Sequence, residues 1–394
     1  MREPLRYRWL VLAAGTAAQT SFSAVTIGLP VLAPALRDAF GLSLFEVGVV
    51  LDSVWIGTML TLLPWGLLAD RVGERIVLTV GLTGCALALV GAAEAGRFAA
   101  LLVLLGLAGA SGASVNSASG RAVMQWFGAH ERGLALGVRQ TAIPLGGFIA
   151  AVALPLLALD NALLLLAGFC LVGALLGFAV LREREAPDEG DPAEYGRALR
   201  EPRLWRLCGG SCLYLVAQIS VLSFVVLFLH DERGLSAGEA AAVLAGVQVL
   251  AAAFRIGAGR WSDVLGSRVV PLLLVGVASS VTLALATALL DAPLALLIAA
   301  FVLAGGFGMA WNGLSFTTAA EIAGARQSGA ALGLQQTALA VGGAAMPPVF
   351  AALVGATSWR TGFALAAIFP LAGVVVLRPL AGAMRLRSRA AGPG

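Results

Sequence analysis

The sequence predicts an all-α membrane protein, with twelve transmembrane helices arranged as two pseudo-symmetric halves of six. Three observations carry that prediction. Of the 394 residues, 59% are hydrophobic and only 12% are charged, whereas a soluble domain carries about 25% charged residues. The mean hydropathy is +0.91. The apolar residues also fall in long unbroken runs, and the second half of the chain repeats the first.

Crossing a bilayer takes about 20 mainly apolar residues in helical form. The first run, 9–36, follows Met1–Arg8 directly. It is longer than the apolar core of a cleavable signal, so it is expected to act as its own insertion signal. Spans two to six fall at 53–69, 76–93, 98–120, 140–159 and 161–181, and none contains Asp, Glu or Arg. Spans seven and nine to twelve fall at 207–229, 269–290, 292–320, 327–359 and 361–377, with the same property. The eighth, 240–254, reaches spanning length only if its helix continues through Arg255. The reading is therefore an N-terminal six-helix bundle over 1–181, a cytoplasmic linker over 182–206 and a C-terminal six-helix bundle over 207–394. No room is left for a soluble domain of ordinary size.

The arginines orient the chain. If the first helix enters from the cytoplasm, 18 arginines fall on the cytoplasmic side. Only Arg37, Arg97, Arg233 and Arg360 fall outside. The positive-inside rule then places both termini inside. The sequence pI near 9.2 reflects this topology and not a nucleic-acid surface; all 26 basic residues are Arg. Four cysteines and two histidines offer almost no metal ligands. Cys208 and Cys212 share a helix face and read as small packing residues. His130 and His230 lie at helix ends on opposite sides of the membrane, which leaves no constellation for catalysis. There is no phosphate-binding glycine loop for an ATP-driven pump. Neither an enzyme nor a cofactor is expected.

The internal repeat is explicit. Gly133–Gly147 (GLALGVRQTAIPLGG) reappears as Gly329–Gly343 (GAALGLQQTALAVGG), 196 residues later. At the same shift Gly109, Gly112 and Asn116 fall on Gly305, Gly308 and Asn312. A second pair, Gly66–Arg75 (GLLADRVGER) and Gly259–Arg268 (GRWSDVLGSR), is shifted by 193. Twofold-repeated bundles of this kind are a common transporter plan, with substrate held near the midplane.

The loop Gly66–Arg75 resembles the G-x-L-a-D-r-x-G-r/k-r/k signature of the major facilitator superfamily. The second copy keeps Gly259, Asp263, Gly266 and Arg268 but has Val264 where the first has Arg71. The resemblance covers the whole chain and implies the major facilitator fold. It also implies a cytoplasmic gate built from Gly66, Asp70, Arg71, Gly73, Arg75, Gly259, Asp263, Gly266 and Arg268. Asp70 and Asp263 are placed to face a helix N-terminus while the arginines neutralise them. In the superfamily's drug–proton antiporters the fifth span carries G-P-x-x-G-G. Here it reads Ile143-Pro144-Leu145-Gly146-Gly147, one residue short. Arg255, eight residues before Asp263, sits at the offset where nitrate/nitrite, oxalate–formate and monocarboxylate carriers place an anion-contacting Arg. Nitrate porters have a matching Arg in span two, where this chain has Leu62. The resemblance thus points to a larger organic anion.

A charge inside the bilayer costs at least ~2.5–3.5 kcal/mol and normally faces a cavity or a partner. Arg121, Arg139 and Arg255 lie within the halves, at or beside the ends of these runs, against one comparably placed acid, Asp52. An anionic substrate would balance this positive interior. Arg255 is the leading contact, set against an ion pair near Glu321. Arg139 follows, beside Gln140; its repeat mate is Gln335, so only one half carries the charge. Arg121 is read as pairing with Glu131 or snorkelling. Asn116 and Asn312 either line the cavity or bond between helices, and Gln19, Gln218, Gln248 and Gln336 share that ambiguity. Trp311 and Tyr214 either stack on a planar substrate or pack. Asp52 is the expected proton carrier, because a carboxyl withdrawn from water holds its proton more readily; the alternative is a standing pair with an arginine. The glycines of spans four, five, ten and eleven permit close helix approach, and Pro144, Pro347 and Pro348 are candidate hinges.

Together these readings describe a secondary transporter of a small organic anion in a bacterial cytoplasmic membrane. It would work by alternating access with proton-coupled import, as a monomer whose partners are the anion, protons and the bilayer. The alternative is proton-driven efflux of drugs or metabolites.

Overall fold

The computed structural model describes residues 7–116, 118–119, 126–127, 135, 138–182, 200–324, 328–344 and 346–390. Arg121, Glu131 and the first copy of the repeat up to Gly137, apart from Ala135, lie outside the described residues, as does the side chain of Asp70. Within the described residues the helices are α1 (Tyr7–Phe40), α2 (Leu44–Val72), α3 (Glu74–Ala93), α4 (Phe98–Gly112), α5 (Ala142–Ala153) and α6 (Leu159–Val180). They continue as α7 (Pro202–Arg233), α8 (Ala237–Leu265), α9 (Val269–Ala288), α10 (Leu294–Ala323), α11 (Ser328–Gly343), α12 (Met346–Ala356) and α13 (Trp359–Ala390). Twelve segments are long and apolar enough to cross a membrane, with α11 and α12 forming one of them.

Local chemistry sets the helix starts. Ser43 caps α2 and Glu46 reaches back to the Ser43 N–H at 2.8 Å. Ser236 and Glu239 repeat that reciprocal cap before α8, with Glu239 accepting from the Ser236 N–H at 2.8 Å. The two boxes are 193 residues apart, so the repeat extends to helix entry. Such a box satisfies two of the backbone donors that a helix start leaves open. It also explains why α2 begins nine residues before the apolar run predicted at 53–69.

The candidate hinges lie near the first described residues of their helices. Pro144 lies in the first turn of α5, and Pro347 and Pro348 lie in the first turn of α12.

Packing divides the chain into two compact units. Unit 1 holds residues 1–188, 222–249 and 344–356; unit 2 holds 189–221, 250–343 and 357–394. In unit 1, α1 packs on α5 and α6, α2 on α4 and α12, and α3 on α4 and α6. The α2–α4 contact is close enough for side chains to bond across it. Thr58 Oγ1 donates to the Gly109 carbonyl at 3.2 Å, and Trp65 Nε1 to the Ala110 carbonyl at 2.6 Å. In unit 2, α9 packs on α10 and α13, and Ser280 Oγ donates to the Ala367 carbonyl at 2.5 Å. Lipid chains are as apolar as leucine, so packing and these bonds hold the helices together. Leu87, Leu175 and Val375 stay exposed, which suits a lipid-facing surface.

Candidate substrate-binding site

In unit 1 the α1–α5 contact carries a buried charge. Small residues make it possible: Gly146 lies against the α1 backbone at Thr20 and Ala24. Just before α5, Arg139 is only 8% exposed. Its Nη1 donates to Gln19 Oε1 at 3.2 Å and to Ser119 Oγ at 3.1 Å. The Ser119 hydroxyl gives its proton to the Val115 carbonyl, so toward Arg139 it can only accept. Arg139 Nε is buried without a partner, and no carboxylate pairs with this guanidinium among the described residues. Gln140, next along, is half-buried.

Unit 2 has a neutral counterpart. Gln335, the repeat mate of Arg139, is fully buried. Its Nε2 donates to Ser315 Oγ, and to Ser211 Oγ at 3.4 Å. The two serine hydroxyls share a bond of 2.6 Å. Ser119 and Ser315 are themselves 196 apart, so the repeat preserves a serine–span-five/eleven bond while exchanging guanidinium for amide. Sequence reasoning missed these serines, although the same shift that paired Asn116 with Asn312 pairs them.

A second polar group in unit 2 gathers on the Met309 carbonyl. Arg255 Nε donates to it at 2.9 Å and Asn312 Nδ2 at 3.1 Å. Asn312 Nδ2 also donates to Gln218 Oε1 at 3.0 Å. Arg255 is half-buried on α8. Glu321, expected near Arg255, accepts from Arg268 Nε at 3.0 Å. Asn116 and Gln336 are half-buried in their helices.

Of the two readings of the aromatic residues, the geometry favours packing. Tyr214 is wedged against Gly276 and Gly373, with its hydroxyl donating to the Leu272 carbonyl at 3.2 Å. Trp311 is fully buried, edge-on to Tyr214 at 5.9 Å. Both rings are consumed in helix packing, so neither presents a face to a planar substrate.

Asp52 is buried on α2 with Oδ1 unpartnered. No arginine pairs with it among the described residues, so the standing ion pair is not the arrangement found. It lies one turn from Gly48, whose Cα faces Pro347, Pro348 and Ala351 of α12.

The signature loops explain their glycines. Gly73, between α2 and α3, has φ +85°, and Gly266, between α8 and α9, has φ +58°. A Cβ is disfavoured at both. Past the second glycine, Arg268 binds Asp263 and Glu321 together, and its Nη1 donates to Ser262 Oγ at 2.6 Å. In the first copy, Arg71 is exposed and Arg75 lies over the Phe178 ring at 4.1 Å. Gly66 and Gly259 are half-buried near the ends of α2 and α8.

Comparison with known proteins gives concordant results. The family described as Major Facilitator Superfamily matches residues 13–347. An uncharacterized MFS-type transporter of Mycobacterium tuberculosis is 34% identical over 396 residues, covering 97% of this chain and 88% of that protein. A hexuronate transporter of Bacillus subtilis is 26% identical over 53% of each chain. A probable nitrate/nitrite antiporter of Thermus thermophilus is 29% identical over 67% of this chain and 62% of its own. Among solved structures, a bacterial homolog of the human lysosomal transporter Spinster, in an inward-facing and occupied conformation, superposes with a TM-score of 0.75. It is 18% identical and covers 98% of this chain and 97% of that one.

Proposed function

This chain belongs to the Major Facilitator Superfamily and is a multi-pass secondary transporter, not an enzyme; on that premise we propose that it carries a small organic anion, a carboxylate, into the cell together with protons. The observation that carries this reading is the setting of Arg139. A guanidinium inside the membrane costs at least ~2.5–3.5 kcal/mol. Among the described residues this one meets only the neutral oxygens of Gln19 and Ser119. A substrate carboxylate supplies the missing opposite charge and accepts from the free Nε. Arg255, with Asn312 beside it, serves as a second anion contact.

Two relatives named for anion substrates, hexuronate and nitrate/nitrite, support the sign of the charge. Leu62, where nitrate porters have an arginine, favours the organic anion. Asp52, buried without a counter-charge among the described residues, takes up the coupled proton, because neutralising it relieves the cost of burying its charge. The loops at Gly66–Arg75 and Gly259–Arg268 form the cytoplasmic gate. In that orientation both termini face the cytoplasm, and the transporter works as a monomer by alternating access.

The test is a thermal-shift screen of the purified protein against carboxylates, inorganic anions and lipophilic cations. Uptake into proteoliposomes follows for each hit. A ligand at a hundred times its dissociation constant adds ~2.7 kcal/mol to the folded state. Stabilisation by carboxylates, with uptake accelerated by an inward proton gradient, is the expected result. Stabilisation by lipophilic cations alone refutes it and turns the assignment to efflux.

A further inference from the structure

The least-satisfied buried side chain of unit 1 lies outside the arginine cluster. Gln248, on α8, is 1% exposed, and neither its Oε1 nor its Nε2 has a hydrogen-bond partner. Buried amides are normally satisfied, and an exception in a folded protein calls for an explanation. Its place is also specially cleared. A Cβ on Gly147 would lie 2.7 Å from both Gln248 Cδ and Nε2, and 3.0 Å from Ile27 Cγ2. The amide therefore rests on bare backbone of α5, beside α1.

The same seam holds Arg139, just before α5 and bonded to Gln19 of α1. Gly147 is eight residues along the fifth span from Arg139, and Ile27 is eight along α1 from Gln19, about 12 Å in each case. One helix seam thus has a cation at one end and an unsatisfied carboxamide at the other. A carboxamide offers donor and acceptor side by side. That pair suits a hydroxyl, which is both, and has no use for an alkyl chain.

We propose that Gln248 is a second substrate-recognition residue, whose carboxamide bonds a hydroxyl of the anion held by Arg139, so that the substrate class is a hydroxylated carboxylate. The inference rests on the carboxylate reading above. The repeat argues the same way, because the position of Gln248 at the 193-residue shift is Trp55. The amide therefore occurs in one half only, as an asymmetric ligand requires. A buried polar group shaped for a hydroxyl discriminates strongly, since the analogue lacking it leaves the protein's own polar atoms unpaired.

The test compares gluconate with hexanoate, which share a six-carbon chain and a carboxylate and differ only in hydroxyls. Wild-type protein is expected to bind gluconate at least tenfold more tightly by calorimetry or thermal shift. Gln248→Leu, nearly the same size, should lose that preference while keeping hexanoate affinity and the unliganded melting temperature. Gly147→Ala should also lose the preference, by displacing the amide without removing it. If both ligands weaken equally in Gln248→Leu, or neither changes, Gln248 does not read the hydroxyl and the proposal is overturned. If carboxylates bind, and Arg139→Gln weakens their binding about ten- to hundredfold, but wild type does not distinguish the two, only the role of Gln248 falls. If wild type binds neither carboxylate, the carboxylate reading falls as well.

Discussion

Arg139→Gln is the most informative single substitution, because the protein already contains its outcome. Gln335 occupies the equivalent position with its amide on Ser211 and Ser315. A glutamine at 139 meets the same kind of acceptors in Gln19 and Ser119. The guanidinium makes two hydrogen bonds from Nη1, each worth ~1.5–3 kcal/mol because the donor is charged. Against that stands the insertion cost of the charge, ~2.5–3.5 kcal/mol. Two neutral bonds from glutamine yield ~0.5–1.5 kcal/mol each with no charge to bury. The two alternatives are nearly equal, so the variant should insert and melt within a few degrees of wild type. Anion binding should respond quite differently. Removing one charge-assisted bond to a carboxylate forfeits ~1.5–3 kcal/mol, which is about a ten- to hundredfold loss of affinity. Calorimetry on the purified variant measures the loss, and melting of the same sample checks the fold. Unchanged carboxylate affinity in a folded variant would refute the substrate role. A collapse of the fold would show instead that the arginine is structural.

Three further outcomes are expected. Arg255→Gln should abolish anion uptake in proteoliposomes while leaving expression and membrane insertion intact; normal uptake would remove Arg255 from the site. Asp52→Asn, which fixes the side chain in a neutral form, should retain substrate exchange but lose accumulation driven by an inward proton gradient. Accumulation that still follows the gradient would rule Asp52 out as the carrier. Gly73→Ala should lower stability by ~1–3 kcal/mol, the cost of holding a side chain in backbone geometry reserved for glycine, because Gly73 sits at φ 85° and ψ 160°. An unchanged melting temperature would show that the loop relaxes.

The spans were legible because a bilayer demands a contiguous apolar stretch, and the chain writes one for each helix. The repeat was legible at Gly133–Gly147 because a fifteen-residue match needs no structure to be seen. Helix entry was legible too but went unread: Ser43 with Glu46 and Ser236 with Glu239 obey the S-x-x-E pattern at the same shift as the signature loops. What no run or motif discloses is which faces of the helices meet. Tyr214 and Trp311 stayed open between stacking on a substrate and packing, because the sequence does not say what lies against each ring. Their fate is set by Gly276 and Gly373, two residues from other helices that leave room for the tyrosine ring. Ser119, Ser211 and Ser315 were invisible for the opposite reason, since serine is an ordinary small residue in a membrane helix.

Near-symmetry also gives the buried charge its meaning. A sequence that merely needed a polar tie between these helices had one available, since Gln335 with Ser211 and Ser315 makes it without charge. Retaining an arginine at the equivalent place adds an insertion penalty, while each side chain leaves one polar atom unbonded, Arg139 Nε and Gln335 Oε1. Packing receives nothing in return, because the neighbours of Arg139 are as neutral as those of Gln335. Asp52 adds to the case. An acid elsewhere in unit 1 could have been placed to neutralise Arg139, yet no ion pair joins the two, and Asp52 Oδ1 is itself unbonded. A buried cation and a buried acid kept apart remain available for separate ligands. On the proposed function, an anion for the first and a proton for the second are the two ligands whose charges fit, and a carrier that moves both together spends the proton gradient to accumulate the anion.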